Sequence, residues 1–446
     1  MKRLSKIMVI SSTLILMLLT VGGIYAQDPV VITYWLWDVA QVPQYEQCAA
    51  DFEAANPNID IRIEQPGGWF DYWTALQTAL VGGNAPDVFT NHLSKYPEFA
   101  NLGQIVDIQP FVERDGVDVS NYLGELAALW TRGDARYGLP KDWDTVALVY
   151  NVDMIEAAGI DPAVFETWTW NPEDGGTFQE IVAQLTLDAN GNNGLSPDFD
   201  RNNVVQFGLV TGQGGGFNGH EQWSHFAAST GWTFTDGPWA ESYHYDDPRF
   251  IDTIQWYADL HLVHGLAPSF AEVGVPDGEQ ALFAAGEGAM VFAGSWRINF
   301  HLTQPSFDVG FALPPIGPEG RKTMFNGLAD SIYSGTPHVE EAWQWVRYLA
   351  SVECQVVVGE YGIVFPAIAE GVEASLAARA ERGIDVSAFT SQALDPNGTF
   401  IYPITDRGSE VAAIMGPIMD SIRLGEVTAA EALPMANAEV NALFNP

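Results

Sequence analysis

The chain has 446 residues, 47% hydrophobic and 17% charged, with 57 Asp and Glu against 19 Lys and Arg and a formal net charge of -38. An acidic excess on this scale repels phosphate backbones and anionic lipid, which excludes nucleic-acid binding and electrostatic docking to a membrane. The length also passes the roughly 250 to 300 residues at which a single core stops growing, so two domains are expected.

In chain order, Lys2, Arg3 and Lys6 precede an apolar stretch, 7–21, and then Gly22, Gly23, Ile24, Tyr25 and Ala26. That order of charge, apolar core and small residues is a secretory signal, with cleavage expected after Ala26. Retention as an anchor is the competing reading, because the stretch approaches the roughly 20 residues of a membrane span. No cysteine lies near the junction to carry a lipid, so the chain is expected as an exported protein in the periplasm or at the extracellular face.

Residues 30–35 read as a strand, and Tyr45, Cys48, Ala49 and Phe52 recur at helical spacing until Asn56 and Pro57. Ile59, Ile61 and Ile63 alternate as a second strand, 72–81 reads as a helix closed by Gly82 and Gly83, and 86–90 reads as a third strand. Strand–helix–strand units of this kind build a doubly wound α/β sheet, whose ligands lie beyond the carboxyl ends of its strands. Trp35, Trp37, Asp38, Asn91 and His92 fall at those ends.

The segment 137–151, YGLPKDWDTVALVYN, joins a Gly-Pro turn to a polar and aromatic knot, Lys141 to Thr145, and then to an unbroken apolar run. The run reads as a strand buried on both faces, which places the knot at a strand entrance facing a cleft. Further on, Asp188, Asn190 and Asn192 alternate around Gly191 in the manner of a calcium loop, with Asp198 and Asp200 downstream. Asn193 and Phe199 stand where that loop needs glycine and glutamate, and an Asn-Gly turn is the competing reading. The glycine-rich 212–219 lacks the Lys-Ser/Thr of a phosphate loop and is expected to line a cleft or hinge. Val339, Ala342, Trp343, Val346 and Leu349 form an apolar helical face, and Ile414, Ile418 and Ile422 a second.

Several segments resemble one family when taken in order: Lys141 to Thr145, the turn Gly83-Asn84-Ala85-Pro86-Asp87-Val88, and Gly286-Glu287-Gly288-Ala289-Met290-Val291 with Gly294-Ser295-Trp296. Ala312-Leu313-Pro314-Pro315, Gly317-Pro318, Arg321 and Gly327 follow, then Ala342-Trp343, Tyr348-Leu349-Ala350-Ser351, Gly359-Glu360-Tyr361-Gly362 and Pro366-Ala367. Together they resemble the extracellular solute-binding proteins of carbohydrate ABC importers, the family that includes maltose-binding protein. The resemblance implies a two-lobed periplasmic-binding-protein fold of type II character, each lobe a doubly wound sheet with flanking helices. It implies a multi-segment hinge with crossovers near Asp142, near Asn326 and near 395–402. The expected segments are 1–26 for the leader, 27–142 and 327–398 for one lobe, and 143–326 and 399–446 for the other.

The same resemblance implies a sugar or oligosaccharide ligand, a membrane permease as partner, a monomer, no catalytic residue and no cofactor unless the calcium loop is filled. It puts Cys48 and Cys354 on helices of one lobe, where they either bridge or lie as buried thiols. The family's ligand contacts map onto Trp37, Asp38, Asn91, Asp144 and Trp296, with Trp69, Gln213, Phe217, Trp223, Trp232, Asp330 and Arg407 as a wider set. These residue types suit carbohydrate: an indole covers the apolar face of a sugar ring, and Asp, Asn, Gln and Arg meet its hydroxyls. Ser94 and Lys95 replace charged groups that maltose-binding protein uses after its third strand, so the sugar is left open.

Two other functions compete. A glycoside hydrolase needs two carboxyl groups roughly 5 to 9.5 Å apart, and no local pattern selects such a pair. An aromatic cage for a quaternary ammonium compound would also use Trp and Asp. No HExxH, no GxSxG and no catalytic cysteine context is present.

Overall fold

The computed structural model describes residues 28–445, and the expected leader lies outside the described residues. The first units are Val30–Trp35 (β1), Val42–Ala55 (α1), Ile59–Glu64 (β2), Trp69–Gly82 (α2) and Val88–His92 (β3). Pro43 in the first turn suits the start of α1, since its fixed φ is already helical and its missing N–H has no partner there. Gly83 ends α2 at φ 71, a left-handed cap that a side chain would strain. β1 lies between β2 and β3 and is parallel to both.

The chain then gives Leu139–Asp144 (β4), Val146–Asn151 (β5), Met290–Gly294 (β6), Val309–Ala312 (β7) and Thr323–Ile332 (β8). Val339–Leu349 (α3), Val352–Tyr361 (α4), Phe365–Pro366 (β9), Thr399–Ile401 (β10), Gly408–Arg423 (α5) and Ala429–Ala442 (α6) complete the frame. The larger sheet has the order β9-β4-β8-β3-β1-β2, with β10 on the start of β8. The smaller sheet has the order β6-β5-β7.

The two-lobed α/β class stands, but neither sheet is all parallel: in the larger one β8 runs antiparallel to β3 and β4, and the smaller one departs further from the doubly wound expectation. Both partners of β5 are antiparallel to it. They arrive from distant segments running the opposite way, without the short helical crossover that enforces parallel pairing. One parallel neighbour does join its edge: Val210 N–H donates to the Met290 carbonyl at 2.8 Å, and Phe207 bridges to Gly288.

Asp144 closes β4 in the larger sheet and Val146 opens β5 in the smaller one, so the chain changes lobe at Thr145. The Thr323 hydroxyl ties this junction to the start of β8, accepting from Val146 N–H and donating to the Val146 carbonyl, each at 2.8 Å. β10 lies parallel beside that start. Three strands therefore run together where the lobes join.

Cys48 on α1 and Cys354 on α4 form a disulfide, with Cα atoms 5.4 Å apart. On α5 the buried face is Val411, Met415, Met419 and Ile422. Ile414 and Ile418 only flank it. The expected stripe is rotated, because the methionines fill the interior in place of the isoleucines.

Candidate functional site

β3 delivers His92 to the place where the lobes meet, and Trp69 and Tyr402 press edge-on against its ring at 5.1 and 5.0 Å. Trp69 touches Trp37 at 5.2 Å, and Trp37 touches Trp73 at 5.6 Å. From the second lobe His220 lies 5.6 Å from Tyr402 and 5.0 Å from Trp296. An aromatic wall thus runs from one lobe to the other. The Trp296 indole folds back over Gly294, where a Cβ would stand 2.1 Å from the ring, so glycine is required at this elbow.

Polar groups converge on the same place. The Asn326 amide donates to Asp144 Oδ2 at 2.8 Å and lies 3.0 Å from His92 Nε2. His220 Nε2 faces Asp144 Oδ1 at 3.4 Å. Asp144 Oδ1, His220 Nε2 and Asn326 Oδ1 are all buried without a hydrogen bond. Such atoms each cost about 1–3 kcal/mol until something satisfies them. Burial, with His220 and Lys95 nearby, lowers the His92 imidazole well below its ordinary range.

Behind the elbow, Glu221 accepts from Gly294 N–H at 2.7 Å and from Arg297 Nε at 2.8 Å, and Arg297 also donates to Asp277 at 2.8 Å. Glu221, Asp277 and Glu279 bring carboxylate oxygens within 4.8 Å of one another. Arg297 is their internal counter-charge. Burial, then the Glu221 charge, pushes the Glu279 carboxyl up to about 7.

Of the residues expected to bind, Trp37, Trp69, Asp144 and Trp296 come together in this cluster, and Phe217 approaches it with its ring 6.2 Å from Tyr402. Asp38 lies at the rim and is occupied as a turn cap, accepting from Ala40 N–H at 3.0 Å and Gln41 Nε2 at 2.9 Å. Asn91 points the other way, fully buried, and donates to Ser331 Oγ at 3.0 Å. Strand alternation is the reason: His92, not Asn91, takes the cleft side.

The remaining expectations are placed elsewhere. Trp223 is fully buried, donates to the Gly214 carbonyl at 3.0 Å and packs on Phe250 at 5.1 Å. Trp232 stacks on Phe250 at 4.4 Å and donates to the His244 carbonyl, and from this buried position it lines the cavity beside the cluster rather than the cluster itself. Asp330 is sealed inside the larger lobe in an ion pair with Lys141 at 3.2 Å, shared with Tyr34 and Thr90. Arg407 is on the surface and pairs with Glu410 at 2.9 Å. Gln213 approaches the Gly274 carbonyl at 3.5 Å, within the second lobe. A small, strand-poor sheet leaves the second lobe to build its core from aromatic side chains in irregular segments, which takes up Trp223 and Trp232.

The Asp188 carboxylate accepts from Asn190 N–H and Asn192 N–H through Oδ1, and from Asp200 N–H and the Asn192 amide through Oδ2, at 2.8 to 3.1 Å. These donors, Asp200 N–H first, hold its pKa down at about 2. A cavity of about 510 Å³ lies beside the cluster, between 231–238 and 399–404, with Tyr402 in its wall. His92, His220, Asn326, Tyr402 and Trp73 are the cluster members that the ligand mapping omits. Alternation in β3 was the available signal for His92; the others meet through the fold.

Residues 38–356 match the model of the bacterial extracellular solute-binding protein family. The chain belongs to that family. This solute-binding protein is 22% identical over 312 residues to a maltotriose-binding protein of Pyrococcus abyssi, covering 69% of this chain and 59% of the relative. It is 27% identical over 179 residues to an uncharacterised lipoprotein of Streptomyces antibioticus, but that stretch covers 39% of this chain and 38% of the relative. In three dimensions it is similar to an ABC substrate-binding protein from Listeria monocytogenes solved with cycloalternan, with a TM-score of 0.79 at 20% identity, covering 94% of this chain and all of the other. That likeness speaks for the fold. No helix among the described residues is long and apolar enough to cross a membrane.

Proposed function

We propose that this solute-binding protein, once exported, captures a sugar or oligosaccharide between its lobes and presents it to the permease of an ABC importer. The observation that carries the reading is the meeting of Trp296 and His220 from one lobe with Asp144, Asn326 and His92 at the junction, leaving three buried polar atoms unsatisfied beside an aromatic wall. Hydroxyl groups on a ring with an apolar face meet both needs. The maltotriose-binding relative and the cycloalternan complex support the same ligand class.

Capture is a matter of lobe closure. The second lobe reaches across through Trp239, whose indole donates to the Thr131 carbonyl at 2.9 Å, and Arg132 grips Asp406 with two hydrogen bonds of 2.9 and 2.6 Å. A ligand that touches both lobes favours a closed form, in which such contacts are kept, only by the difference in its affinity for the two states. Binding without turnover is the expected outcome, because Asp144 is engaged with the Asn326 amide and faces His220, while its neighbour Asp142 is buried and accepts from Leu328 N–H at 3.0 Å rather than standing across an open cleft from it.

The reading takes the protein as a monomer and requires no cofactor; calcium held by Asp188, Asn190 and Asn192 is a separate proposal, tested by the effect of a chelator on the melting curve. The main test is a thermal-shift screen across mono- and oligosaccharides, with chromatography of each mixture. A raised melting temperature and intact saccharide is the expected result. Release of shorter products would make the protein a hydrolase, and a response to choline or betaine alone would make it a binder of quaternary ammonium compounds.

A further inference from the structure

Lys95 is the unexplained charge at the site. Beyond the leader the chain has three lysines, of which Lys141 is paired with Asp330 at 3.2 Å and Lys322 donates to the Asn397 carbonyl. Lys95 makes no ion pair and no side-chain hydrogen bond among the described residues, although the chain has 57 Asp and Glu to offer. Its backbone N–H is anchored on the His92 carbonyl at 2.9 Å, directly after β3. Its ammonium lies 5.7 Å from the centre of the Trp73 ring, and that ring touches Trp37 at 5.6 Å and Trp69 at 5.4 Å. The head group therefore sits on the aromatic wall that leads to His92.

Burial pulls the Lys95 ammonium below the ordinary lysine range, and the Glu98 charge opposes this only in part. Glu98 is itself engaged, accepting from Ser409 Oγ at 2.6 Å. An ammonium held here without an ion pair or hydrogen bond loses hydration and is compensated only by the Trp73 ring and the more distant Glu98 charge, so it is a feature that a ligand can correct. The negative charge already in the cluster is turned away from Lys95, since Asp144 Oδ2 takes the Asn326 amide and Oδ1 faces His220, and no ion pair joins it to Lys95 among the described residues.

We propose that the cargo carries an anionic group, carboxylate or phosphate, which seats on Lys95 above Trp73 while its hydroxyls meet Asp144, Asn326 and His220. This inference rests on the sugar-binding reading and narrows it to acidic saccharides. Lys95 is then the residue that sets specificity, and the long-range repulsion from an acidic protein is met by one local cation.

The test is calorimetry on the full mature protein with matched pairs: oligogalacturonate against the neutral galactose oligomer, and glucose 6-phosphate against glucose. At least one anionic partner should bind about tenfold tighter than its neutral counterpart. Lys95→Gln should remove that preference while leaving neutral binding within about twofold, and Lys95→Arg should keep it. A preference within the first pair assigns the group as carboxylate, and within the second as phosphate. Melting temperatures of both variants show that they fold. Equal affinity within both pairs, or a Lys95→Gln variant weakened equally toward charged and neutral ligands, would overturn the assignment of Lys95 and leave sugar binding intact. Failure of every saccharide, charged or neutral, would remove the sugar-binding reading itself.

Discussion

Trp296 and Asp144 divide the work of recognition between an apolar face and a polar edge. Trp296→Ala and Asp144→Ala should each weaken saccharide binding by about 1–3 kcal/mol in calorimetry while the fold survives, because both side chains line the junction rather than the core. Wild-type affinity in both variants would take them out of the site. Asn91 makes the contrasting case. Its amide is fully buried on Ser331, so Asn91→Ala should lower stability by about 1–3 kcal/mol in urea denaturation and leave affinity unchanged.

Asp142 carries a pH signature. Burial, eased by Lys141 and worsened by Asp144, pushes its carboxyl from 3.8 up to about 7, with Oδ2 left unpartnered. The folded state therefore holds this proton more tightly than the unfolded state does. Its contribution to stability is complete below pH 3.8, declines as pH rises, and is lost above about 7. Asp142→Asn should flatten that decline in denaturation curves at pH 5 and pH 8; an unchanged difference between wild type and variant would refute the assignment.

At the scale of elements, the disulfide binds α1 to α4 across a sequence separation of 306. Replacing both cysteines with serine should cost about 2–5 kcal/mol of stability in denaturant, with binding retained because both cysteines are fully buried in the core. Loss of affinity without loss of stability would contradict a purely structural role.

The first half of the larger sheet was legible from residues alone, since Ile59, Ile61 and Ile63 alternate and Tyr45, Cys48 and Phe52 repeat at helical spacing. The smaller sheet was not, because β6 and β7 join β5 from more than a hundred residues away, and no local pattern states the direction of pairing. Trp223 and Trp232 looked like ligand plates because glycine and polar residues surround them in sequence. They pack inward because that lobe has few strands to supply a core. His220, Tyr402 and Asn326 were hidden for a related reason: each matters only once three distant segments are brought side by side.

At the scale of the whole molecule, the account depends on two lobes that close on a solute. The Arg132 to Asp406 pair and Trp239, over which the Arg132 guanidinium lies at 4.6 Å, tie the lobes together at one side of the junction. Arg132→Ala should shift the protein toward the open form and weaken saccharide binding without altering the residues of the cluster. A variant with unchanged affinity would show that this contact plays no part in closure.

Small-angle X-ray scattering with and without a saccharide that raises the melting temperature tests the central claim most directly. The account predicts a smaller radius of gyration in the bound state, with Trp296→Ala needing more ligand to reach it. A radius that stays constant at saturating ligand would contradict capture by lobe closure.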